Sequence, residues 1–522
     1  MTADERGNPT TTLDRRHPDG LAWSRGNLVH PLLDGVEYFH RLLSELTDIR
    51  AGDQVYFSAW IGDQDKPLDG PGTSLAALLF RALRTGASVH ALFWWPYLSF
   101  TTDLIPDNRR FVATLRGLGG EAVLDQRVRP TGSHHQKFLV IRRPERPESD
   151  IAFVGGIDPC PSRRDDGAHH GDPHVQTSID DVYGEQPAWH DAHLQVRGPA
   201  VDDVEHCFRE RWEDSTALER GPLSLLDRKV RGRAQAAGLL PAALPAPPRC
   251  GPHSVQLLRT YPAKFPPYPF APRGERSVAR GYAKALRGAS GFVYVEDQFL
   301  WSPMVAETFA EALRREPELH LIAVVPSRPE KGGPVEVATS DVAHGKALDL
   351  LHEAGGNRVD VYELENTHGL PIYVHSKVCV IDDHWATIGS ANLNRRSWTY
   401  DSELTAAVLD ERCAEPADQR TDASTFAQDL RLRLWREHLG RAHGEDDDLT
   451  DPVSGIEALR RAAADLERWH RNGRTAPRPA GHLRVHERPA ASATTRAWAA
   501  PVGRAVMDPD GRPLRHRWTR EW

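Results

Sequence analysis

Two short segments of this chain pair a nucleophilic imidazole with a nearby cation: His135-x-Lys137 and His375-x-Lys377. Successive side chains of an extended segment alternate between faces, so a His and a Lys two apart point the same way. The run Val374-His375-Ser376-Lys377-Val378-Cys379-Val380-Ile381-Asp382 therefore reads as a strand with one cationic, nucleophile-bearing face. Val374, Ser376, Val378 and Val380 form the opposite, buried set. Asp382 to Trp385 is a hairpin-like turn, after which Ala386-Thr387-Ile388 resumes the strand and leads into Gly389-Ser390-Ala391-Asn392. One such pair is usually a solvated one, but the pattern occurs twice. Ser133-His134-His135-Gln136-Lys137-Phe138-Leu139-Val140-Ile141, followed by Phe153-Val154-Gly155-Gly156-Ile157-Asp158, repeats the order His-x-Lys, strand, turn, strand, small-residue pair. Two such faces brought together could hold an anion between ammonium groups while one imidazole attacks and the other carries a proton.

The second copy, His375-x-Lys377 with Asp382 and then Gly389-Ser390-x-Asn392, resembles the signature of the phospholipase D superfamily. In the first copy His135 and Lys137 match, and Gly155-Gly156-Ile157-Asp158 resembles the segment after the first motif of eukaryotic-type phospholipases D, but Arg142 stands where the motif Asp belongs. The segment Tyr294-Val295-Glu296-Asp297-Gln298 is similar to another strand of those enzymes. The resemblance covers roughly residues 25 to 445. It implies an α/β fold of two tandem, pseudo-symmetric domains, each a mixed sheet flanked by helices, with the active site at their interface. It also implies a phosphodiester cleaved through a phosphohistidine without metal or other cofactor. On that reading His135 is the nucleophile and His375 the general acid and base. Lys137 and Lys377 hold the phosphoryl oxygens with Asn392 and Ser390. Asp382 belongs to the catalytic motif but falls in a turn, which suits a structural role. A nucleophilic imidazole needs its other nitrogen held by an acceptor. Asp191, and either Asp401 or Glu403, occupy matching positions after the two motifs and are expected to orient the histidines.

The substrate implied is a glycerophospholipid at a membrane surface, cleaved to phosphatidic acid and an alcohol, with transphosphatidylation as a further outcome. Alternatives are a phosphatidyltransferase resembling cardiolipin synthase, a nuclease or other phosphodiesterase, and a silent lipid-binding scaffold. The net charge of -8 over 522 residues speaks against a general nucleic-acid binder. No apolar run of about 18 residues predicts a spanning helix, and Met1 to Arg25 lacks a signal-peptide core. Five cysteines without a CxxC pair read as reduced thiols. The expectation is a cytoplasmic monomer, peripheral to membranes.

Stepping along the chain, strands at Gln54 to Ile61 and Ser88 to Trp95 with a helix between them predict a βαβ unit and a parallel sheet. The second half repeats this order with strands at Phe292 to Leu300, Leu319 to Val325 and Val359 to Glu363. Tyr56 precedes His135 by 79 positions and Tyr294 precedes His375 by 81, as in a duplication. The expected parts are a flexible arm (1–25), a first domain (26–233), a Pro/Ala linker (234–252), a second domain (253–464) and an appended tail (465–522). Residues 160–188 read as a long polar loop. His169, His170 and His174 with Asp165, Asp166 and Asp172 are spaced too irregularly to predict a metal site. Trp94-Trp95-Pro96-Tyr97 and the aromatic, proline-rich loop from Tyr261 to Phe270 could touch lipid or simply cap the core.

Overall fold

The computed structural model describes residues 1–17, 19–96, 105–175, 179–216, 237–328, 333–411, 425–519 and 522. Tyr97, Cys413 and the first three residues of the linker lie outside this set. The first half contributes β1 (Ser24–Leu33), β2 (Gln54–Ala59), β3 (Ser88–Trp94), β4 (Glu121–Asp125), β5 (Phe138–Arg142), β6 (Ile151–Gly155), β7 (Ala188–His190) and β8 (Ala192–Arg197). The second contributes β9 (His253–Tyr261), the two-residue β10 (Glu275–Arg276), β11 (Phe292–Asp297), β12 (His320–Val324), β13 (Val359–Glu365), β14 (Pro371–Val374), β15 (Lys377–Ile381), β16 (Trp385–Gly389), β17 (Glu403–Asp410) and β18 (Leu483–Val485).

The first sheet runs β4-β3-β2-β5-β6-β8-β1. The second runs β13-β12-β11-β15-β16-β17-β9, the same path strand for strand. In each, three parallel strands joined by helical crossovers meet four antiparallel ones, so the fold is a duplicated mixed α/β unit. Edge strands β1 and β9 pair with one another, Ser24 opposite Val255 and Asn27 opposite His253. That seam relates the halves by a pseudo-twofold.

The alternation of strand side chains divides the core. Val55, Phe57 and Ala59 of β2 face the outer helices of the first half, and Val293 and Val295 of β11 face those of the second. Tyr56, Tyr294, Val378 and Val380 point the other way into one core shared by both halves. Helices Ala200–Trp212 and Phe426–Leu439 fill that shared core with Val204, Phe208, Leu430 and Trp435.

Three expectations change. Residues 1–25 are not a loose arm: Arg6 is buried, 2.7 Å from Asp14 and 2.9 Å from Glu275. Residues 465–522 are no detached tail, because β18 pairs with β13, Tyr362 opposite Val485. The loop 160–188 is not solvated throughout either, since Asp165, His169 and Asp172 are buried, Asp172 against the buried Lys66. Each change has one cause: the partners lie far away in sequence, where local composition cannot show them. Among the described residues no helix is long and apolar enough to cross a membrane.

Candidate active site

The His-Lys segments are not single strands. His375 and Ser376 interrupt the run between β14 and β15, and Asp191 interrupts β7 and β8 in the same way. Before the break β14 pairs antiparallel with β13 of its own half, Leu364 opposite Ile372, and in parallel with β7 of the first half, Val374 opposite His190. The His375 amide donates to the His190 carbonyl at 2.8 Å. Parallel pairing brings the following residues side by side, and Asp191 Oδ2 lies 2.6 Å from His375 Nδ1. The other histidine repeats the arrangement. His134 and Ser402 form a parallel bridge, the His135 amide donates to the Ser402 carbonyl at 2.9 Å, and Glu403 Oε2 lies 3.0 Å from His135 Nδ1. Each half thus supplies the carboxylate that holds the other half's imidazole.

Of the two acidic residues weighed for the second position, Glu403 makes this contact. Asp401 instead accepts from the Ser133 amide at 2.8 Å and pairs with Arg396 at 2.7 Å. The Ser390 hydroxyl is not aimed at a phosphate: it donates to Glu403 Oε2 at 2.5 Å and accepts from the Leu404 amide at 3.1 Å, bracing the carboxylate that holds His135. Gly156 takes the equivalent place in the first half, where a Cβ would fall 2.2 Å from Asp191 Oδ1. Asn392 lines the cavity, and its buried Oδ1 has no partner among the described residues.

Asp382 lies at the far end of β15, in the turn. Its carboxylate accepts from the amides of Ser290, Gly291 and Phe292 at 2.8, 2.9 and 2.8 Å, which fixes the start of β11. That position is remote from the imidazole at the other end of the strand. In the first half Arg142, buried, ties Asp150 at 2.7 Å and Glu205 together. Asp150 is therefore spent on Arg142 and the Arg143 amide rather than on a copy of the Asp382 turn.

Lys137 Nζ lies 3.4 Å from Asp158 Oδ2 and donates to the His135 carbonyl at 3.1 Å. Lys377 donates to Gln298 Oε1 at 3.2 Å and to the His375 carbonyl. Burial, and then the adjacent Lys137 or Lys377, holds both His135 and His375 well below the usual histidine range. Burial lowers the Lys377 ammonium to about 8 and raises the Glu403 carboxyl to about 7. Both rings thus favour the neutral form, with Nδ1 engaged by a carboxylate and Nε2 left for chemistry. An anion between the ammonium groups would cancel their repulsion and allow one ring to take a proton.

His135 and His375 open on one cavity of about 240 Å³, walled further by Trp60, Phe299, Trp301, Arg396 and Met507. Sequence reasoning gave no role to Asp158 and Gln298, although both stood in the quoted segments. Their position just beyond a strand end, where the catalytic loops gather, is the signal that marks them. Trp301 and Met507 carried no such signal.

Behind Asp191 lies a second polar cluster. Asp34, His169, His190 and Glu437 present ligand atoms within 4.8 Å of one another, and His190, Glu296 and His438 form a further set. Glu296 Oε2 is 2.9 Å from His190 Nε2, and Glu437 Oε1 is 2.9 Å from His190 Nδ1. Such a donor set could hold a divalent cation, and it buttresses the residue that precedes Asp191.

A family model described as Phospholipase D matches residues 120–259 and 345–488, more than half of the chain and containing both His-Lys segments. Phospholipase D alpha 1 of Oryza sativa subsp. japonica is 24% identical over 84% of this chain and 68% of its own length. Phospholipase D alpha 2 of Arabidopsis thaliana is 25% identical over 82% and 67%. Phospholipase D alpha 2 of Oryza sativa subsp. japonica is 26% identical over 78% and 64%, so the chain spans about two thirds of these relatives. A solved phosphatidylserine synthase from Haemophilus influenzae Rd KW20 superposes with a TM-score of 0.48 at 12% identity, covering 85% of this chain and 93% of that one. With two matched segments that fall on the two copies of one folding unit, and with the paired His-Lys segments meeting between them, the chain belongs to the phospholipase D family.

Proposed function

We propose that the chain is a phosphodiesterase that cleaves the head-group phosphodiester of glycerophospholipids, giving phosphatidic acid and an alcohol. The observation that carries this reading is the reciprocal pairing: two imidazoles on one cavity, each held at Nδ1 by a carboxylate from the opposite half. The phosphodiester anion sits between Lys137 and Lys377, with the Asn392 amide beside it. The His135 Nε2 lone pair attacks phosphorus and forms a P–N bond. The P–O bond to the head group breaks, and the leaving oxygen takes its proton from the His375 imidazolium. Neutral His375 then removes a proton from water, the water oxygen attacks phosphorus, and the P–N bond breaks to release phosphatidic acid. An alcohol in place of water gives transphosphatidylation. Lys137 and Lys377 supply positive charge to the phosphoryl oxygens, and His135 and His375 supply the nucleophile and the proton relay. Asp191 and Glu403 stabilise each imidazolium as it forms, Ser390 positions Glu403, and Asp382 is structural.

The test is head-group release from mixed phospholipid vesicles by wild type, His135→Ala and His375→Ala, each run with EDTA and with added divalent cation. Release that either substitution lowers by about a thousandfold or more supports the reading. Release by wild type in both media assigns the Asp34–His169–His190–Glu437 cluster a role outside the chemical step. No release from any phospholipid by folded protein would refute the reading.

A further inference from the structure

A second cavity, of about 650 Å³, lies among helices Ser277–Gly288, Pro303–Arg315 and Pro334–Gly355 and the C-terminal residues, and it shares no lining residue with the catalytic cavity. Its apolar lining includes the buried Leu286 and the half-buried Met304, Leu350 and Trp522. Around them stand Arg287, Arg315, Lys346, Arg512 and Arg517, opposed by Glu307 and Glu311.

Most of the acid nearby is already committed. Glu307 pairs with Arg314 at 2.9 Å, and Asp510 with Arg512 at 2.9 Å. Among the described residues Arg287 and Lys346 form no ion pair, and both are exposed. Arg287 and Arg315 each lie in the last turn of a helix, where a cation is favourable without any ligand. Lys346 lies in the middle of a helix, and Arg512 and Arg517 come from the C-terminal segment, so helix ends do not account for the convergence. Arg315 pairs with Glu316 at 3.2 Å and Arg517 lies 3.9 Å from Asp510, so Arg287 and Lys346 are the lining cations that no carboxylate engages among the described residues. A guanidinium fork and an ammonium together suit the oxygens of a phosphate.

We propose that this groove binds an anionic amphiphile, its phosphate held by Arg287 and Lys346 and its apolar stem laid against Leu286, Leu350 and Trp522. The groove touches the catalytic cavity's wall through one segment. Trp522 packs on Trp398 with ring centres 4.9 Å apart, the Gly511 amide donates to Thr399 Oγ1 at 3.0 Å, and Asp508 accepts from the Arg396 amide at 2.7 Å, next to Met507 in the wall. An occupant would therefore bear on the segment that closes the catalytic cavity. The proposal rests on the groove's own lining and not on the reaction proposed above.

The test is calorimetric titration of the full chain at low ionic strength with dihexanoyl phosphatidic acid, inorganic phosphate and dihexanoyl phosphatidylcholine. It is run in a Lys137→Ala/Lys377→Ala background, which strips the catalytic cavity of its ammonium groups. The expected result is saturable binding of the phosphatidic acid, about tenfold or more tighter than inorganic phosphate and weakened at least about tenfold by Arg287→Glu/Lys346→Glu. Those two positions are exposed, and circular dichroism checks that the variant folds. Unchanged binding in the charge-reversal variant would overturn the proposal. So would inorganic phosphate that matches the phosphatidic acid, or phosphatidylcholine that binds as well, because the first removes the apolar stem and the second removes the anion. Absence of head-group release would refute the proposed reaction and leave these titrations to be read unchanged.

Discussion

Glu403 and Asp401 stand two residues apart on the same approach to the cavity, yet only Glu403 reaches an imidazole. Replacing Glu403 by Gln keeps its shape and removes the charge that stabilises the His135 imidazolium, so turnover is expected to fall by about 10²- to 10⁴-fold. Asp401→Asn, which loosens Arg396 at the cavity wall, is expected to alter KM more than kcat. Steady-state head-group release separates the two. Lys377 gives a pH test. With its ammonium lowered to about 8, the charge is present below that pH and lost above it, so kcat/KM should decline on the alkaline side from about pH 8. Lys377→Arg keeps the charge at any such pH and should move that limb upward, whatever its cost in absolute rate. At Asp382 the expectation is the reverse: Asp382→Asn should cost about 1 kcal/mol of stability through the amides of residues 290–292 and leave kcat unchanged, as a melting curve and an assay would show. The two His-Lys pairs were legible in the sequence because their residue types carry the chemistry themselves. The contact of Ser390 with Glu403 is not legible in the sequence, because it is fixed by a chain crossing that residue types do not express.

At the scale of strands, the segment from Val374 to Ile381 reads as one continuous strand, and no local rule marks the break at His375. The break falls where the chain passes from β14, which lies between β13 of its own half and β7 of the other, to β15, which lies between β11 and β16. Period-two alternation reports burial, and both pieces are buried, so the exchange of neighbours is silent. The paired glycines after the first motif express the same constraint. Gly156 leaves the space that the Asp191 carboxylate occupies, with a Cβ falling 2.2 Å from its Oδ1. Gly156→Ala should therefore push Asp191 away from His375 and lower kcat by about tenfold or more, as steady-state head-group release would show. Gly117→Ala, where a methyl meets open space, is the control and should behave as wild type.

At the scale of the molecule, the duplicated order of elements was readable from spacing alone, because each half repeats one strand and helix pattern. What was not readable is the interlocking of distant segments. Arg6 sits between Asp14, Glu275 and the Leu257 carbonyl, and polar composition in residues 1–25 gives no hint of partners some 250 positions away. Arg142 is a similar case: it stands where a motif Asp was expected and instead gathers Asp150, Glu205 and the Pro245 carbonyl. Arg142→Met should leave the buried Asp150 carboxylate without its ion pair, while Glu205 keeps Arg209, and destabilise the protein by about 3–5 kcal/mol in denaturant unfolding, with normal turnover per folded molecule. The two halves are proposed to make one phosphoryl-transfer site jointly, with His135 as its nucleophile. Mass spectrometry of His375→Ala after incubation with phospholipid tests it most directly. A phosphatidyl adduct on His135, absent from His135→Ala, is the predicted result. No adduct on His135 in His375→Ala, or an adduct on His375 in His135→Ala, in preparations whose wild type releases head group, would contradict it.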